Sequence, residues 1–493
     1  MNSIKNLARP LTFIVVGASG DLARRKIFPA LFALYARGFI PKDCLFVGYA
    51  RTEIDDAGFR ETLYPTLQCE EIDEQACGLA LGEFLKRCHY VTGRYDRAED
   101  LRGLGARLEK LEGRETANRV FYFAIPPTVF LSVCDSVGEA ELAGQPGEEP
   151  WTRVVMEKPF GRDRASSDEL VEGAARVFAE TQTYRIDHYL GKEVIQNLMA
   201  LRFANAIFEP IWNRTHVDHV HILWKEDLDL GGRAGYFDSF GIVRDVMQNH
   251  LTQILALIAM ESPYELDQHN IRDEKVRVLQ QVVALRPEDV VLGLYTGGTL
   301  ADGRVMPAYR DDPDVPDDSR TETYAAAILH CHSPRWRGVP FLMSAGKGLD
   351  ARMTEIRVHF KTPDAGLFNA FGVRSNAFIV RVQPDESIYL EICNKVPGSG
   401  MRLDAARLDL RYRKVFPGRI ADAYENLLLD VIRGDRSLFI RSDELKAAWD
   451  IFTPVLHAAD EGKLPLEHYS FGATGPKGTR KLAARYGFDD TND

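Results

Sequence analysis

Hydrophobic and polar positions along the chain follow two different rhythms. In the first 185 residues, short β-branched runs alternate with stretches of helical period. Residues 11–18 (LTFIVVGA) form an apolar run, and apolar positions recur at helical spacing from about 22 to 37. The runs 44–50 (CLFVGYA), 120–126 (VFYFAIP) and 152–160 (TRVVMEKPF) repeat the theme. The span between the first two of these, HYVTGRY included, reads as a long helical region. Four such strands separated by helices predict a parallel sheet covered on both faces. Pro29 inside the first helical stretch predicts a short opening segment or a kink.

From about residue 205 the pattern alternates instead. The segments 216–226 (HVDHVHILWKE), 355–361, 376–384 and 388–396 predict strands of a large antiparallel sheet, and an apolar helix is expected over 237–260. The fold class expected is α/β: a Rossmann-like dinucleotide-binding domain over residues 1–185, then a larger α+β domain over 186–493 with a broad, mainly antiparallel sheet. The stretch RIDHYLGKE at 185–193 falls at the junction, where α/β proteins often place a cleft.

Composition narrows the function classes. The 493 residues are 45% apolar, and 61 basic against 72 acidic residues give a net charge of -11, with no concentrated Lys/Arg run. A nucleic-acid partner is therefore not expected. No window of about 18 apolar residues is present and MNSIKNLARP has no leader pattern, so no membrane association is expected. Seven scattered cysteines read as a reduced set in a cytoplasmic protein rather than a disulfide framework.

The run 17-GASGDLA-23 follows a strand and opens a helix, the context of a dinucleotide-binding loop. Gly17 permits a sharp turn, Gly20 admits a phosphate close to the backbone, and Ala23 lets the helix pack on the sheet. A bare glycine turn would carry the same residues. Where an NAD site places a carboxylate after the second strand, this chain has Arg51, suited to a 2'-phosphate; a solvent-facing arginine is the alternative, and Glu53 is nearby.

Other candidates lie further along. Lys158 ends a strand after Glu157 and either serves a substrate hydroxyl or caps a salt bridge. His250 lies on an apolar helix face with Asp245 and Asn249 on a neighbouring strip. A histidine held by a carboxylate suits proton removal near neutral pH, and a satisfied core histidine is the other reading. Lys347 in a Gly-flanked turn and Arg352 could make a charge-assisted phosphate pocket with His188, Tyr189 and Lys192; lysines at turns that are simply solvated are the other reading. His219 and His221 share one strand face at i, i+2, but spacing fixes no third ligand and no metal is expected.

Four stretches together, 17-GASGDLA-23, 155-VMEKPFGRD-163, 185-RIDHYLGKE-193 and 240-FGIVRDVMQNHLTQ-253, resemble the glucose-6-phosphate dehydrogenase family, with weaker support from 340-PFLMSAGKGLDAR-352. RIDHYLGKE is highly specific, the glycine loop is common to many folds, and EKP also occurs in other sugar and inositol dehydrogenases. The set spans nearly the whole chain. The resemblance implies oxidation of glucose 6-phosphate to 6-phosphoglucono-δ-lactone with NADP, the opening step of the pentose phosphate pathway. His250 matches the base and Asp187 the carboxylate that orients it. His188, Tyr189, Lys192 and Lys347 match residues at the sugar phosphate, with Arg352 nearby, while Glu226 and Asp245 match residues that hold sugar hydroxyls. Lys158 matches a lysine that contacts both substrate and nicotinamide, and Pro159 a proline often preceded by a cis peptide. Gly17, Ala18, Ser19, Gly20, Asp21 and Leu22, with Arg51 and Lys158, form the implied NADP set.

A homodimer or homotetramer is also implied. Some family members hold a second, structural NADP. Met353 and Glu391 stand where those have lysines, although Arg357 and Arg381 remain, so no second coenzyme is expected. Two rivals are an NAD(P)-dependent aldose or inositol dehydrogenase acting on an unphosphorylated polyol, and a non-catalytic NADPH-binding sensor.

Overall fold

The structure, a computed structural model, describes residues 9–69, 73–113, 117–300, 302–363 and 366–488. The chain forms two compact units. One comprises the chain through Glu193 with Leu266–Arg272 and Arg419–Leu445; the other comprises Val194–Glu265, Asp273–Gly418 and the chain from Lys446. The division therefore differs from a single cut after residue 185, because the chain returns to the first unit twice.

The first unit is built on a sheet of β1 (Leu11–Val16), β2 (Leu45–Ala50), β3 (Cys88–Thr92), β4 (Asn118–Phe123), β5 (Thr152–Met156) and β6 (Thr183–Ile186) in the order β6-β5-β4-β1-β2-β3, all parallel. This is the strand order of dinucleotide-binding sheets, whose ligands sit beyond the strand ends where the order reverses, between β1 and β4. Every residue of β1 and β2 is buried, as strands covered on both faces require. A two-residue strand, Phe439–Ile440, adds antiparallel to β6.

Three local features depart from the sequence reading. HYVTGRY begins within β3 and is not helical; β3 is a five-residue edge strand between the helices Glu74–Lys86 and Ala98–Glu112, too short to interrupt the helical period around it. The helix after the glycine loop starts as a π-helix, Ala23–Ile27, and becomes α over Phe28–Ala36. A widened turn removes the clash a proline ring makes with the carbonyl four residues back, which accommodates Pro29. Cys69 and Cys77 form a disulfide, with Cα atoms 5.9 Å apart, so the cysteines are not all reduced. The other five are free thiols.

The second unit holds a nine-stranded sheet. Its order is Leu403–Arg411, Ser387–Lys395, Ala377–Gln383, Met353–Phe360, Val217–Lys225, Pro340–Gly346, Tyr324–His330, Val290–Thr296 and Leu466–Ser470. The first five strands pair antiparallel, and two of the remaining four pairings are parallel. The mainly antiparallel sheet is as expected.

The expected helix over 237–260 is three segments: a short helix Ala234–Asp238, a π-helix Val243–Leu251 and an α-helix Thr252–Ala259. Gly241, at φ 72°, marks the break. The far end is buried, and side chains take its last carbonyls. Arg202 donates to Leu257 and Met260 at 2.7 Å, and the indoles of Trp212 and Trp336 donate to Ile258 and Ala259. Among the described residues no helix is long and apolar enough to cross a membrane.

Candidate functional site

The coenzyme-binding features of the first unit start at the end of β1. Gly17 has φ 89°, and a Cβ there would collide with the carbonyl of Ala124, so only glycine fits. Its N–H donates to Tyr49 at 2.8 Å, and the N–H of Gly20 turns back to Gly17 at 2.9 Å. These bonds tie the loop to the end of β2. Gly17 and Ala18 are buried, Ser19 and Leu22 half-buried, Gly20 and Asp21 exposed. Thr52 donates its hydroxyl to Ser19, and Asp21 pairs with Arg24 at 2.8 Å. Arg51 follows β2, exposed, with its guanidinium 5.4 Å from the centroid of the Tyr95 ring. The exposed Gly20 follows the buried Gly17 at the helix start, and Arg51 lies just after the second strand, the positions from which such loops and strand ends meet a dinucleotide in Rossmann folds.

At the end of β5, Glu157 is buried and accepts from the hydroxyls of Tyr122, at 2.6 Å, and Tyr424. Burial raises its carboxyl above the ordinary value, against the lowering by the Tyr122 hydrogen bond and the Lys158 charge. Burial likewise raises the Tyr424 hydroxyl, reinforced by Glu157. The Lys158–Pro159 peptide is cis.

Residues 187–192 form a run of tight turns after β6. Asp187, 1% exposed, accepts the N–H of Tyr189 at 2.9 Å, and the amides of Leu190, Gly191 and Lys192 donate to carbonyls three residues back. The helix Ala423–Arg433 floors this run. A Cβ on Gly191 would meet the carbonyl of Ala423 at 2.5 Å, and Asn426 donates to the Gly191 carbonyl at 3.1 Å. Tyr424 stacks on His188 with ring centroids 6.1 Å apart, and Lys192 lies 5.3 Å over the Tyr189 ring. Asp187 and Lys158 both act on the Glu157 carboxyl through their charges. The first unit thus collects Lys158, Asp187, His188, Tyr189 and Lys192 around one network.

In the second unit, Lys347 is buried and donates to Glu226 at 2.8 Å, with its ammonium 5.1 Å over Trp224 and 5.3 Å over Phe237. Its backbone is fixed on both sides: the N–H donates to Thr323 and the carbonyl accepts from Tyr469. Arg352 is exposed at the start of the strand Met353–Phe360. His250 is 3% exposed, and its N–H donates to the Asn249 side chain at 2.6 Å. Asp245 is half-buried on the same π-helix. His221 bonds the Ser344 hydroxyl, and His219 pairs with Asp218 and stacks on His359.

Residues 14–197 match the family profile described as glucose-6-phosphate dehydrogenase, NAD binding domain, and residues 199–489 match that of glucose-6-phosphate dehydrogenase, C-terminal domain. The chain belongs to the glucose-6-phosphate dehydrogenase family. It is 49% identical to glucose-6-phosphate 1-dehydrogenase 1, chloroplastic, of Arabidopsis thaliana, over 97% of this chain and 83% of that protein. It is 46% identical to glucose-6-phosphate 1-dehydrogenase of Dictyostelium discoideum, over 99% and 96%. Among solved structures, a glucose-6-phosphate dehydrogenase in complex with its substrate glucose 6-phosphate superposes with a TM-score of 0.90 at 38% identity, covering 98% of each chain.

Against this membership of the glucose-6-phosphate dehydrogenase family, the sequence reading had not singled out Tyr122, Tyr424, Asn426 or Glu322. Tyr424 and Asn426 lie more than 200 residues from the loop they support, so no local pattern marks them. Tyr424 is the second residue of the helix Ala423–Arg433, and a tyrosine there resembles any other. Glu322 comes shortly after the acidic, Pro-rich run 310–319, and no local pattern marks it as buried, although the structure buries it.

Proposed function

We propose that this chain oxidises glucose 6-phosphate at C1 to 6-phosphoglucono-δ-lactone and delivers the hydride to NADP. The observation that carries this reading is agreement over nearly the whole chain: both family profiles match, across residues 14–197 and 199–489. The glycine loop fits a dinucleotide because Gly17 leaves no room for a side chain and Gly20 is exposed at the helix start. When bound, NADP supplies a hydride acceptor at its nicotinamide ring.

The protein's own residues supply binding and proton transfer. His250 removes the C1 hydroxyl proton as hydride leaves, and Asp187 orients that imidazole and stabilises its protonated form. Lys192, His188, Tyr189 and Lys347 clamp the phosphate, which fixes C1 relative to the base, with Arg352 adding positive charge nearby. Glu226 and Asp245 hold sugar hydroxyls. Lys158 donates toward the C1 oxygen and the nicotinamide side. Gly17, Ala18, Ser19, Gly20, Asp21 and Leu22 hold the pyrophosphate, and Arg51 reads the 2'-phosphate. A substrate and coenzyme panel tests the reading: turnover with glucose 6-phosphate and NADP supports it, and equal turnover with glucose contradicts it.

The proposal extends to assembly and location. The exposed Leu408 and Leu410 on the edge strand Leu403–Arg411 support a homodimer or homotetramer through the large sheet; light scattering reads the mass. Arg357 and Arg381 both engage the buried Glu355, at 2.9 and 2.6 Å, which supports the absence of a second coenzyme. Two equivalents of copurified NADP per chain would contradict that. A cytoplasmic location rests on the five free thiols against one disulfide.

A further inference from the structure

The helix carrying His250 does not begin as an α-helix begins. Gly241 breaks the run after Asp238, and the next two amides leave the helix for one residue. Ile242 donates its N–H to the backbone carbonyl of Glu322 at 2.9 Å, and Val243 donates to the Glu322 carboxyl at 3.2 Å. A Cβ on Gly241 would collide with the same carboxyl. Glu322 is 5% exposed and faces Val243, Met247, Leu292 and Phe452 in an apolar chamber. A carboxyl in such surroundings needs a partner, and the helix start supplies it.

From that point the turns are widened, over Val243–Leu251. Side chains follow the five-residue offset: Asn249 donates to the carbonyl of Arg244 at 2.9 Å, and Thr252 donates to that of Met247 at 2.7 Å. The offset decides which residues share a face. In an α-helix, residues five apart point about 140° away from each other. In a π-helix, with its i to i+5 bonding, they lie nearly above one another. Asp245 and His250 are five apart.

We propose that Glu322 is a positioning residue: by taking the amides of Ile242 and Val243 it sets the π register that turns Asp245 and His250 to one face of their helix. The inference rests on the reading of His250 as the base. It gives Glu322 a role in turnover although it touches neither substrate nor coenzyme in that reading. The opposite end of the helix is held by Arg202, Trp212 and Trp336. The register is therefore fixed from both ends, and losing one anchor lets the middle rewind.

The test compares Glu322→Met, which keeps the length and the backbone bond to Ile242 but removes the acceptor for Val243, with Glu322→Gln, which keeps a carbonyl oxygen for Val243. Glu322→Met is expected to lower kcat about a hundredfold, as small misplacements of a catalytic group do, with KM for glucose 6-phosphate moved less than about threefold. Glu322→Gln is expected to restore kcat to within about threefold of the parent. A crystal structure of Glu322→Met should show α-helical turns across 243–251. If Glu322→Met does not fold, Glu322→Asp carries the same test, because it keeps the charge and withdraws the acceptor by one methylene. Parental kcat in the acceptor-less variant, or an unchanged π register in its crystal structure, overturns the proposal. Parental activity in His250→Asn would instead overturn the base assignment, which separates the two failures.

Discussion

The ammonium of Lys347 donates to the carboxylate of Glu226 at 2.8 Å while lying over the rings of Trp224 and Phe237. The strand Val217–Lys225 ends directly before Glu226, and the strand Pro340–Gly346 ends directly before Lys347; the two strands are parallel neighbours in the sheet. A cation held this way is pre-set for an anion, since its side chain is ordered before substrate arrives and little entropy remains to be lost.

Truncating that cation should therefore act on phosphate recognition. A charge-assisted hydrogen bond contributes about 1.5 to 3 kcal/mol, so Lys347→Ala is expected to raise KM for glucose 6-phosphate about tenfold or more. Turnover of unphosphorylated glucose should change far less. Lys192→Ala should behave alike, and steady-state kinetics on both sugars read the difference.

His250→Asn keeps a hydrogen-bonding side chain and removes the imidazole proposed as the base. General-base catalysis contributes about two to four decades, so kcat should fall by at least about a hundredfold. The affinity for glucose 6-phosphate, measured by calorimetry, should stay close to that of the parent.

Arg51 is exposed, with its guanidinium 5.4 Å from the centroid of the Tyr95 ring, and Glu53 nearby is exposed as well. Arg51→Ala is expected to cut the preference for NADP over NAD by about one to two decades. The ratio of kcat/KM for the two coenzymes measures this, and a loss shared equally by both would place Arg51 elsewhere.

Much of this was legible in the residues themselves, and what was not has physical causes. The apolar runs of β1, β2, β4 and β5 read as buried parallel strands because both of their faces are covered. Tyr324–His330 is equally apolar and buried, but alanine-rich, so its period and residue types give no strand signal. The π register of Val243–Leu251 is invisible in a hydrophobic pattern, because it depends on Glu322 some 80 residues further along taking two amides. In an α-helix Asp245 and His250 would point about 140° apart, and only the π register brings them to one face. The return of Arg419–Leu445 to the first unit is likewise a tertiary fact, made by Tyr424 and Asn426 against residues 157, 188 and 191.

Stability should carry a signature of Glu322. Burial lifts its carboxyl from the ordinary 4.5 to about 7, so the folded chain binds that proton more tightly than the unfolded one. The stabilisation is fully present below the ordinary value and is lost as pH rises through about 7, an effect on the order of 3 kcal/mol. Glu322→Gln does not titrate there. Its Tm relative to the parent should therefore rise between about pH 5 and about pH 8, and a constant difference across that range would place the group's titration elsewhere.

The central claim, that this protein takes hydride from a phosphorylated sugar and gives it to NADP, is tested most directly by following coenzyme reduction with glucose 6-phosphate and with glucose, each with NADP and with NAD. The account predicts rapid reduction of NADP with glucose 6-phosphate, and turnover of glucose lower by orders of magnitude. Comparable rates for the two sugars, or no reduction of either coenzyme by the phosphorylated one, would contradict it.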